Sequence, residues 1–282
     1  MTAQRIALVT GANQGIGFAL VAGLAARLNS EDLVLLTGRN PERVAEAVRR
    51  IDGVAKVEGR VLDVTDADAI AALAEELQEA YGGVDLVVSN AIGPLTPDRP
   101  QAEQADEFIA VANGGTTAVL RSFGPVLRPG GRLLVVASSL GTIDHLDAQL
   151  HPLFDGVTLE QVEKAVEDWR QAIHEGTAED QGWPHWINLP SKVGQVAAVR
   201  AAAAERRATD LPLNTLIASV CPGLVDTRAS RPWFDDFSQA RTPEAAVVPI
   251  LDLLLADHLD PANYGELIRD RKVLPWHPAV PG

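Results

Sequence analysis

Apolar runs alternate with stretches of helical periodicity along most of the chain. Strand-like runs lie at residues 5–10, 32–37, 56–64, 84–90 and 131–139. Segments with apolar residues at helical spacing lie at residues 15–28, from 41, at 66–81 and from about 103 into the 120s. Near-continuous apolar strands between helices are typical of a parallel sheet covered on both faces. With right-handed crossovers, the pattern predicts an α/β fold with a doubly wound parallel sheet of Rossmann type.

The second half of the chain resumes this alternation after one interruption. A helix is predicted at about 189–207, a strand at 213–220, a helix after Thr242–Pro243 and a short strand near 264–268. Residues 140–183 break the rhythm and contain one helical piece at about 159–173. We interpret them as an insertion at the carboxyl edge of the sheet, where ligands bind in such folds. No linker or repeat divides the chain, so a single domain over residues 1–282 is expected.

Composition and charge narrow the classes of function. The chain has 282 residues and a formal net charge of −14, which would repel nucleic acid and anionic membrane surfaces, so neither is expected as a partner. No apolar run approaches the roughly 20 residues that cross a bilayer, and the first residues do not resemble a signal peptide. The single cysteine, Cys221, fits a reducing compartment. A cytoplasmic protein without a metal site is therefore predicted.

A glycine-rich turn between the first strand and its helix carries the first functional signal. The segment TGANQGIG places Gly11, Gly15 and Gly17 at this turn. Glycines there permit the turn and let the backbone approach a pyrophosphate, which the free N–H groups at the helix start can bind. The strand–turn–helix context predicts a dinucleotide site.

The end of the second strand distinguishes between the two nicotinamide dinucleotides. An NAD site would place an acid there for the ribose hydroxyls. The segment LLTGRN instead presents Gly38 and Arg39, with no carboxylate before Glu42. Because a guanidinium can pair with a 2′-phosphate, the sequence favours NADP (NADPH).

Further motifs resemble those of the short-chain dehydrogenase/reductase family along essentially the whole chain. They are LDV ending at Asp63–Val64, SNA at Ser89–Ala91, VAN with Asn113, VVASS with Ser139, GWP before Lys192, and CPGLVDT at Cys221–Thr227. More particularly, the chain resembles the monomeric carbonyl reductases, which have a long insertion before the active-site helix. The resemblance implies an NADP-dependent oxidoreductase that acts as a monomer on a small molecule.

The resemblance fails at one catalytic position. In the family, a serine and a tyrosine hold the substrate carbonyl, a lysine binds the nicotinamide ribose, and an asparagine holds a water in the proton relay. Ser139, Lys192 and Asn113 match three of these residues, but Asn188 stands four residues before the lysine, where the tyrosine is expected. The family's proton donor is therefore missing, and Asn188 is a candidate for orienting and polarising the substrate.

The candidate site residues follow from the glycine loop and from the resemblance. The predicted catalytic residues are Ser139, Asn188, Lys192 and Asn113. The predicted cofactor-binding residues are Gly11, Asn13, Gln14, Gly15, Ile16, Gly17, Arg39, Asp63, Val64, Asn90, Ala91, Lys192, Pro222, Gly223, Val225 and Thr227. The predicted substrate-binding residues are His145, His185, Trp186, Trp233, Phe234 and Phe237. The last three belong to a predicted lid at about 224–241, which with the insertion would form the substrate side.

Two functions are compatible with this sequence. The first is an NADPH-dependent reductase of a bulky, polycyclic natural-product intermediate: a ketone beside a phenol or enol, an enone, or an imine. Such a substrate needs no acid from the protein, although His145 or His185 could replace the missing donor. The alternative is an NADP-binding protein without redox activity, such as a cyclase, an isomerase or a regulatory sensor. Tight cofactor binding without hydride transfer would favour the alternative.

Overall fold

The computed structural model describes residues 4–277 and contains one eight-stranded sheet. The strands are β1 Ile6–Val9, β2 Leu33–Gly38, β3 Lys56–Val61, β4 Val84–Ser89, β5 Leu127–Val136, β6 Leu216–Val220, β7 Leu267–Arg269 and β8 Lys272–Leu274. Their order is β3-β2-β1-β4-β5-β6-β7-β8, and every neighbouring pair is parallel except β7 and β8. The predicted doubly wound α/β sheet is therefore confirmed, and the antiparallel β8 is an addition that the periodicity did not reveal.

Helices cover both faces of this sheet. They are α1 Gly15–Arg27, α2 Pro41–Arg49, α3 Ala67–Tyr81, α4 Ala105–Ile109, α5 Gly115–Phe123, α6 Leu159–Glu175, α7 Asn188–Asp210 and α8 Pro243–Leu254. Helix α1 packs against α8, whereas α3, α5 and α7 pack side by side. No helix in the described part of the chain has the length and apolarity that a membrane span requires.

The helix expected from about residue 103 into the 120s is not continuous. A π-helical turn, Ala110–Gly114, separates α4 from α5. Such turns often occur at functional sites, and this one contains Asn113, which is only 3% exposed. Because the residues of a π-helical turn depart from α-helical spacing, helical periodicity alone could not have placed Asn113.

The insertion between β5 and α7 is part of the core. Its helix α6 packs against α7, and three aromatic side chains of the insertion are buried together. The rings of Trp169 and Trp183 lie 5.7 Å apart, and Phe154 meets Trp183 edge-on at 6.1 Å. This aromatic cluster fixes the segment that leads into the start of α7.

The strand order changes direction between β1 and β4. The chain runs outward from β1 to β3 on one side and from β4 to β7 on the other. The loops after β1 and β4 therefore diverge and leave a crevice at the carboxyl edge, which is the usual ligand position in open α/β sheets.

Candidate active site

The glycine loop lies in this crevice, in close contact with the end of β4. A Cβ atom on Gly11 would lie 2.7 Å from Cα of Ala91, and one on Gly17 would lie 2.5 Å from Nδ2 of Asn90. Gly11 and Gly15 have positive φ angles of 60° and 58°. Gly11 and Gly15 therefore adopt a backbone conformation that residues with a side chain rarely adopt. In addition, there is no room for a side chain at Gly11 or at Gly17.

A buried threonine holds the loop and β4 together. The hydroxyl of Thr10 accepts hydrogen bonds from the backbone N–H groups of Asn90 and Ala91 at 2.9 and 3.1 Å. The Asn90 amide donates to the carbonyl oxygens of Thr10 and Gly11 at 2.9 and 3.2 Å. The structure thus uses the Asn90 side chain to shape the loop, and Thr10 is a supporting residue absent from the sequence prediction.

The start of α1 lacks the side-chain cap that neighbouring helices have. Asn40 caps α2 and Asp66 caps α3, whereas the side chain of Gln14 makes no capping hydrogen bond at α1. No acidic residue lies in the first turn of α1. The N–H groups and the positive dipole end of this helix are therefore suited to a diphosphate. Together with the close approach of the glycines, this geometry fits a dinucleotide.

Other predicted cofactor residues line the same edge of the sheet. The Asn13 side chain lies beside Gly38 at the end of β2, Val64 is buried against Gly115, and Thr227 lies beside Gly15. Pro222 and Gly223 follow β6, and Val225 is buried just beyond them. The structure brings these residues around one crevice.

Arg39 lies at the expected adenine end but already has a partner. Its guanidinium forms an exposed ion pair with Glu107 of α4 at 3.0 Å. The backbone N–H of Thr65 keeps the pKa of Asp63 below its usual value, and the charge of Arg39 acts in the same direction. Arg39 is thus flanked by two carboxylates, of which Glu107 was not anticipated.

The first two turns of α7 present Asn188 and Lys192 on one face, because residues four apart are neighbours on a helix. Ser191 fixes this part of α7 to the π-helical turn. Its hydroxyl donates to Oδ1 of Asn113 at 2.7 Å, and Nδ2 of Asn113 donates to the Ser191 carbonyl at 3.0 Å. The Asn113 side chain therefore positions α7.

Lys192 is buried and bonded to a second buried residue of α7. Its Nζ donates to Oε1 of Gln195 at 2.7 Å. Nε2 of Gln195 donates in turn to the carbonyl of Ala112 and to the hydroxyl of Thr116, at 2.9 and 3.0 Å. Burial lowers the pKa of Lys192 to about 8, while the Cys221 thiol acts in the opposite direction.

Ser139 follows β5 and is half-buried. Its backbone N–H donates to Sγ of Cys221 at 3.1 Å, which ties the ends of β5 and β6 together. The cysteine therefore has a structural role beside the catalytic candidates.

Residues 224–241, which were predicted to form a lid, are a loop closed at its base. The backbone of Asp226 donates to the carbonyl of Arg241, and Arg241 donates to that of Leu224, both at 2.9 Å. Toward its tip, the Trp233 indole N–H donates to the carbonyl of Leu95, and its ring lies 5.6 Å from Trp186. The two tryptophans thus connect this loop to the segment that precedes Asn188.

Comparison with known proteins identifies the family to which this fold and crevice belong. The family model described as short chain dehydrogenase matches residues 5–147. Carbonyl reductase (NADPH) 1 of Oryctolagus cuniculus is 32% identical, with 97% of this chain and 99% of that protein covered. The chain belongs to the short-chain dehydrogenase family. It is therefore an oxidoreductase.

Further relatives and solved structures extend this result. Carbonyl reductase (NADPH) 3 of Homo sapiens is 30% identical, over 96% of this chain and 98% of that protein. Salutaridine reductase from Papaver somniferum has the same fold, with a TM-score of 0.78, 22% identity, and coverage of 94% and 99% of the two chains. Menthone neomenthol reductase from Mentha piperita gives a TM-score of 0.72 at 22% identity, over 95% and 99%.

The remaining predicted substrate-binding residues of this short-chain dehydrogenase differ in their exposure and in their contacts. His185 points into solvent, since its side chain is 76% exposed and pairs with Glu179 at 2.7 Å. His145 is partly buried, and its Nδ1 lies 3.0 Å from the Thr142 hydroxyl. Phe234 is 45% exposed and meets Phe237 edge-on. The prediction that His185 faces the substrate is thus not supported by its position, because the exposed partner Glu179 holds it outward.

Three buried polar residues beside the catalytic candidates were missed in the sequence. Gln195, Ser191 and Thr116 are each at most 2% exposed. Gln195 is the one that the sequence could have revealed, because it interrupts the apolar segment VGQVAAV three residues after Lys192. A buried amide in such a segment requires hydrogen-bond partners.

Proposed function

We propose that this chain is an NADPH-dependent reductase of a bulky, polycyclic natural-product intermediate and that it works without an acid from the protein. The observation that carries the proposal is the composition of the crevice. The uncapped glycine loop and Ser139 follow strands β1 and β5 at the carboxyl edge of the sheet, and Lys192 is buried near the start of α7. Asn188 occupies the helical position one turn before the lysine.

The relatives support NADP as the cofactor, as predicted from Arg39. Carbonyl reductases that cover nearly the whole chain carry NADPH in their names. When bound, NADPH supplies a hydride. The glycine loop would hold its diphosphate, Arg39 its 2′-phosphate, and Lys192 its nicotinamide ribose.

The preference for the phosphorylated cofactor tests this assignment of Arg39. Arg39→Ala should lower kcat/KM for NADPH by roughly tenfold to a hundredfold, because a charge-assisted hydrogen bond to the phosphate is lost. The value for NADH should change little. Glu107→Gln is the matched control, since it removes the carboxylate 3.0 Å from Arg39. That variant should bind NADPH up to about fivefold more tightly. Equal losses with both cofactors would reject the assignment.

Asn188 cannot replace a tyrosine as an acid. An amide donates a hydrogen bond to a developing oxyanion but delivers no proton at neutral pH. A positioned general acid accelerates a reaction by roughly 10²–10⁴-fold, so an unactivated ketone would react slowly here. We infer that the substrate supplies its own proton or requires none.

Three substrate classes meet this condition. A ketone beside a phenol or enol is protonated by its neighbouring hydroxyl. An enone accepts hydride at carbon, and the resulting enolate receives hydrogen bonds from Ser139 and Asn188. An iminium accepts hydride without forming an alkoxide. In each class the two side chains orient the substrate instead of protonating it.

The aromatic residues around Asn188 favour a large, flat substrate. Trp186 and Trp233 lie together where the lid meets the start of α7, and Phe234 and Phe237 extend the lid. Aromatic walls bind apolar rings over a wide area. We propose that the insertion at 140–183 and the lid at 224–241 form the substrate side, as predicted.

A substrate panel tests the function. The protein and NADPH are mixed separately with polycyclic phenolic ketones, enones and cyclic imines, and the loss of NADPH absorbance is followed. Turnover of at least one class is expected, with simple unactivated ketones much slower. Tight NADPH binding without turnover of any class would instead favour a cyclase, an isomerase or a sensor.

We also propose that the protein is a monomer without nucleic-acid partners. Helix α6 of the insertion packs on α4 and α7, and α7 is thereby covered within the chain itself. Size-exclusion chromatography with light scattering should give about 30 kDa, the mass of a single chain. A tetramer would contradict this proposal.

A further inference from the structure

The hydrogen-bond partner of Lys192 has a specific chemical character. Lys192 is 6% exposed and Gln195 is 2% exposed, and the ammonium donates to the amide oxygen at 2.7 Å. A buried ammonium is usually paired with a carboxylate. Here the partner is neutral, so the contact favours the charged form of Lys192 without an opposing full charge.

Gln195 is itself held in place from the other side. Its Nε2 group donates to the carbonyl of Ala112 and to the hydroxyl of Thr116, and that hydroxyl donates to the same carbonyl at 2.6 Å. Both acceptors belong to the region of the π-helical turn, which adjoins α5. The orientation of the amide is therefore determined, with its oxygen toward Lys192.

We propose that Gln195 is a positioning residue for Lys192: its amide anchors the lysine to the π-helical turn and maintains a fixed cation beside the hydride-transfer site. This inference rests on the proposed function for its catalytic meaning. The contact itself is a property of the protein without cofactor or substrate.

The network also bears on the missing proton donor. An amide forms hydrogen bonds but does not carry a proton at neutral pH. The path from Lys192 through Gln195 ends at the carbonyl of Ala112 and at Thr116, neither of which titrates near neutral pH. Gln195 therefore keeps Lys192 as a cation and does not connect it to a proton source, which agrees with a substrate that needs no enzyme acid.

The electrostatic surroundings make this role measurable. Burial lowers the pKa of Lys192 to about 8, and the titratable group that counteracts this effect is the Cys221 thiol beyond β6. Its hydrogen-bond partner Gln195 is neutral. The nearby site residues Asn113, of the π-helical turn, and Ser139, which follows β5, are neutral as well. Removing the amide should therefore lower this pKa further, and an anion there should raise it.

The chain is well suited to a direct titration because it has only four lysines. Three of them, Lys56, Lys164 and Lys272, are exposed. In cofactor-free protein labelled with carbon-13 at lysine Cε, Lys192 should titrate by NMR near pH 8, well below the value of about 10.4 for a lysine in a model peptide. Gln195→Met should lower the Lys192 value by about one unit or more, and Gln195→Glu should raise it similarly.

The controls distinguish positioning from a general structural effect. Gln171→Met changes an exposed glutamine of α6 and should leave Lys192 unchanged. In turnover assays, the upper pH limit of kcat/KM should follow the NMR values, downward in Gln195→Met and upward in Gln195→Glu. If Gln195→Met does not fold, the wild type and Gln195→Glu decide the matter. Lys192 titrating at the model-peptide value of about 10.4, or at an unchanged pH in folded variants, would overturn the proposal even if reductase activity is found.

Discussion

Asn188→Tyr is expected to accelerate the reduction of unactivated ketones by roughly 10²–10⁴-fold. The other residues implied by the family resemblance remain, since Ser139 follows β5 and Lys192 lies one turn after position 188. On the proposed assignment of position 188, a tyrosine there would supply the acid that Asn188 cannot provide. Steady-state rates with a simple aryl ketone and NADPH measure the effect. On the protein's own substrate the same variant should be slower, because the ring fills space that the asparagine leaves open.

Asn188→Phe is the matched control for this gain. It introduces the same ring without the hydroxyl, so it should show the loss on the natural substrate class and no gain on simple ketones. A similar gain in both variants would mean that the ring acts by packing. No gain in Asn188→Tyr would mean that position 188 does not lie where the substrate carbonyl binds.

Gly17→Ala is expected to weaken NADPH binding by roughly tenfold to a hundredfold and to destabilise the fold by about 1–3 kcal/mol. Its Cβ would lie 2.7 Å from the carbonyl oxygen of Gly11 and 2.8 Å from Cα of Ala12. These are backbone atoms of the turn, so the turn itself must move. The displaced N–H groups would then meet the diphosphate less well. Calorimetric titration with NADPH and thermal unfolding measure the two effects.

Gly114→Ala is the corresponding control. A Cβ at this position has no neighbour within 4 Å, and the φ angle of Gly114 is an ordinary −56°. Its stability and its affinity for NADPH should therefore stay close to those of the wild type. Equal behaviour of the two variants would show that the close packing of the glycine loop is unimportant for the cofactor.

Local pattern was sufficient to predict most of the sheet and the dinucleotide crevice. The strand at 32–37 is recognisable because burial on both faces requires a continuous apolar run. The glycines of TGANQGIG are recognisable because the turn requires them. The strand β8 has only three residues, which is too short for periodicity to be detected. Its pairing depends on β7 and not on its own composition.

The remaining site features depend on contacts between distant segments. Asn113 and Ser191 bond across 78 positions of the chain, and Arg39 meets Glu107 across 68. The outward position of His185 is determined by Glu179 in the insertion. None of these pairings leaves a local pattern. The resemblance indicated which residues belong to the site but not which of them contact the ligand and which support their neighbours.

The role of the substrate as its own acid can be measured with a matched pair of ketones. The protein is given NADPH carrying deuterium at both C4 positions, with an aryl ketone beside a phenol or with its O-methyl ether. We expect deuterium at the carbinol carbon of the phenolic product, and a rate for the ether lower by roughly 10²-fold or more. Equal rates for the two ketones would show that the protein supplies the acid, and the absence of deuterium transfer to this ketone and to the enones and imines would contradict reduction itself.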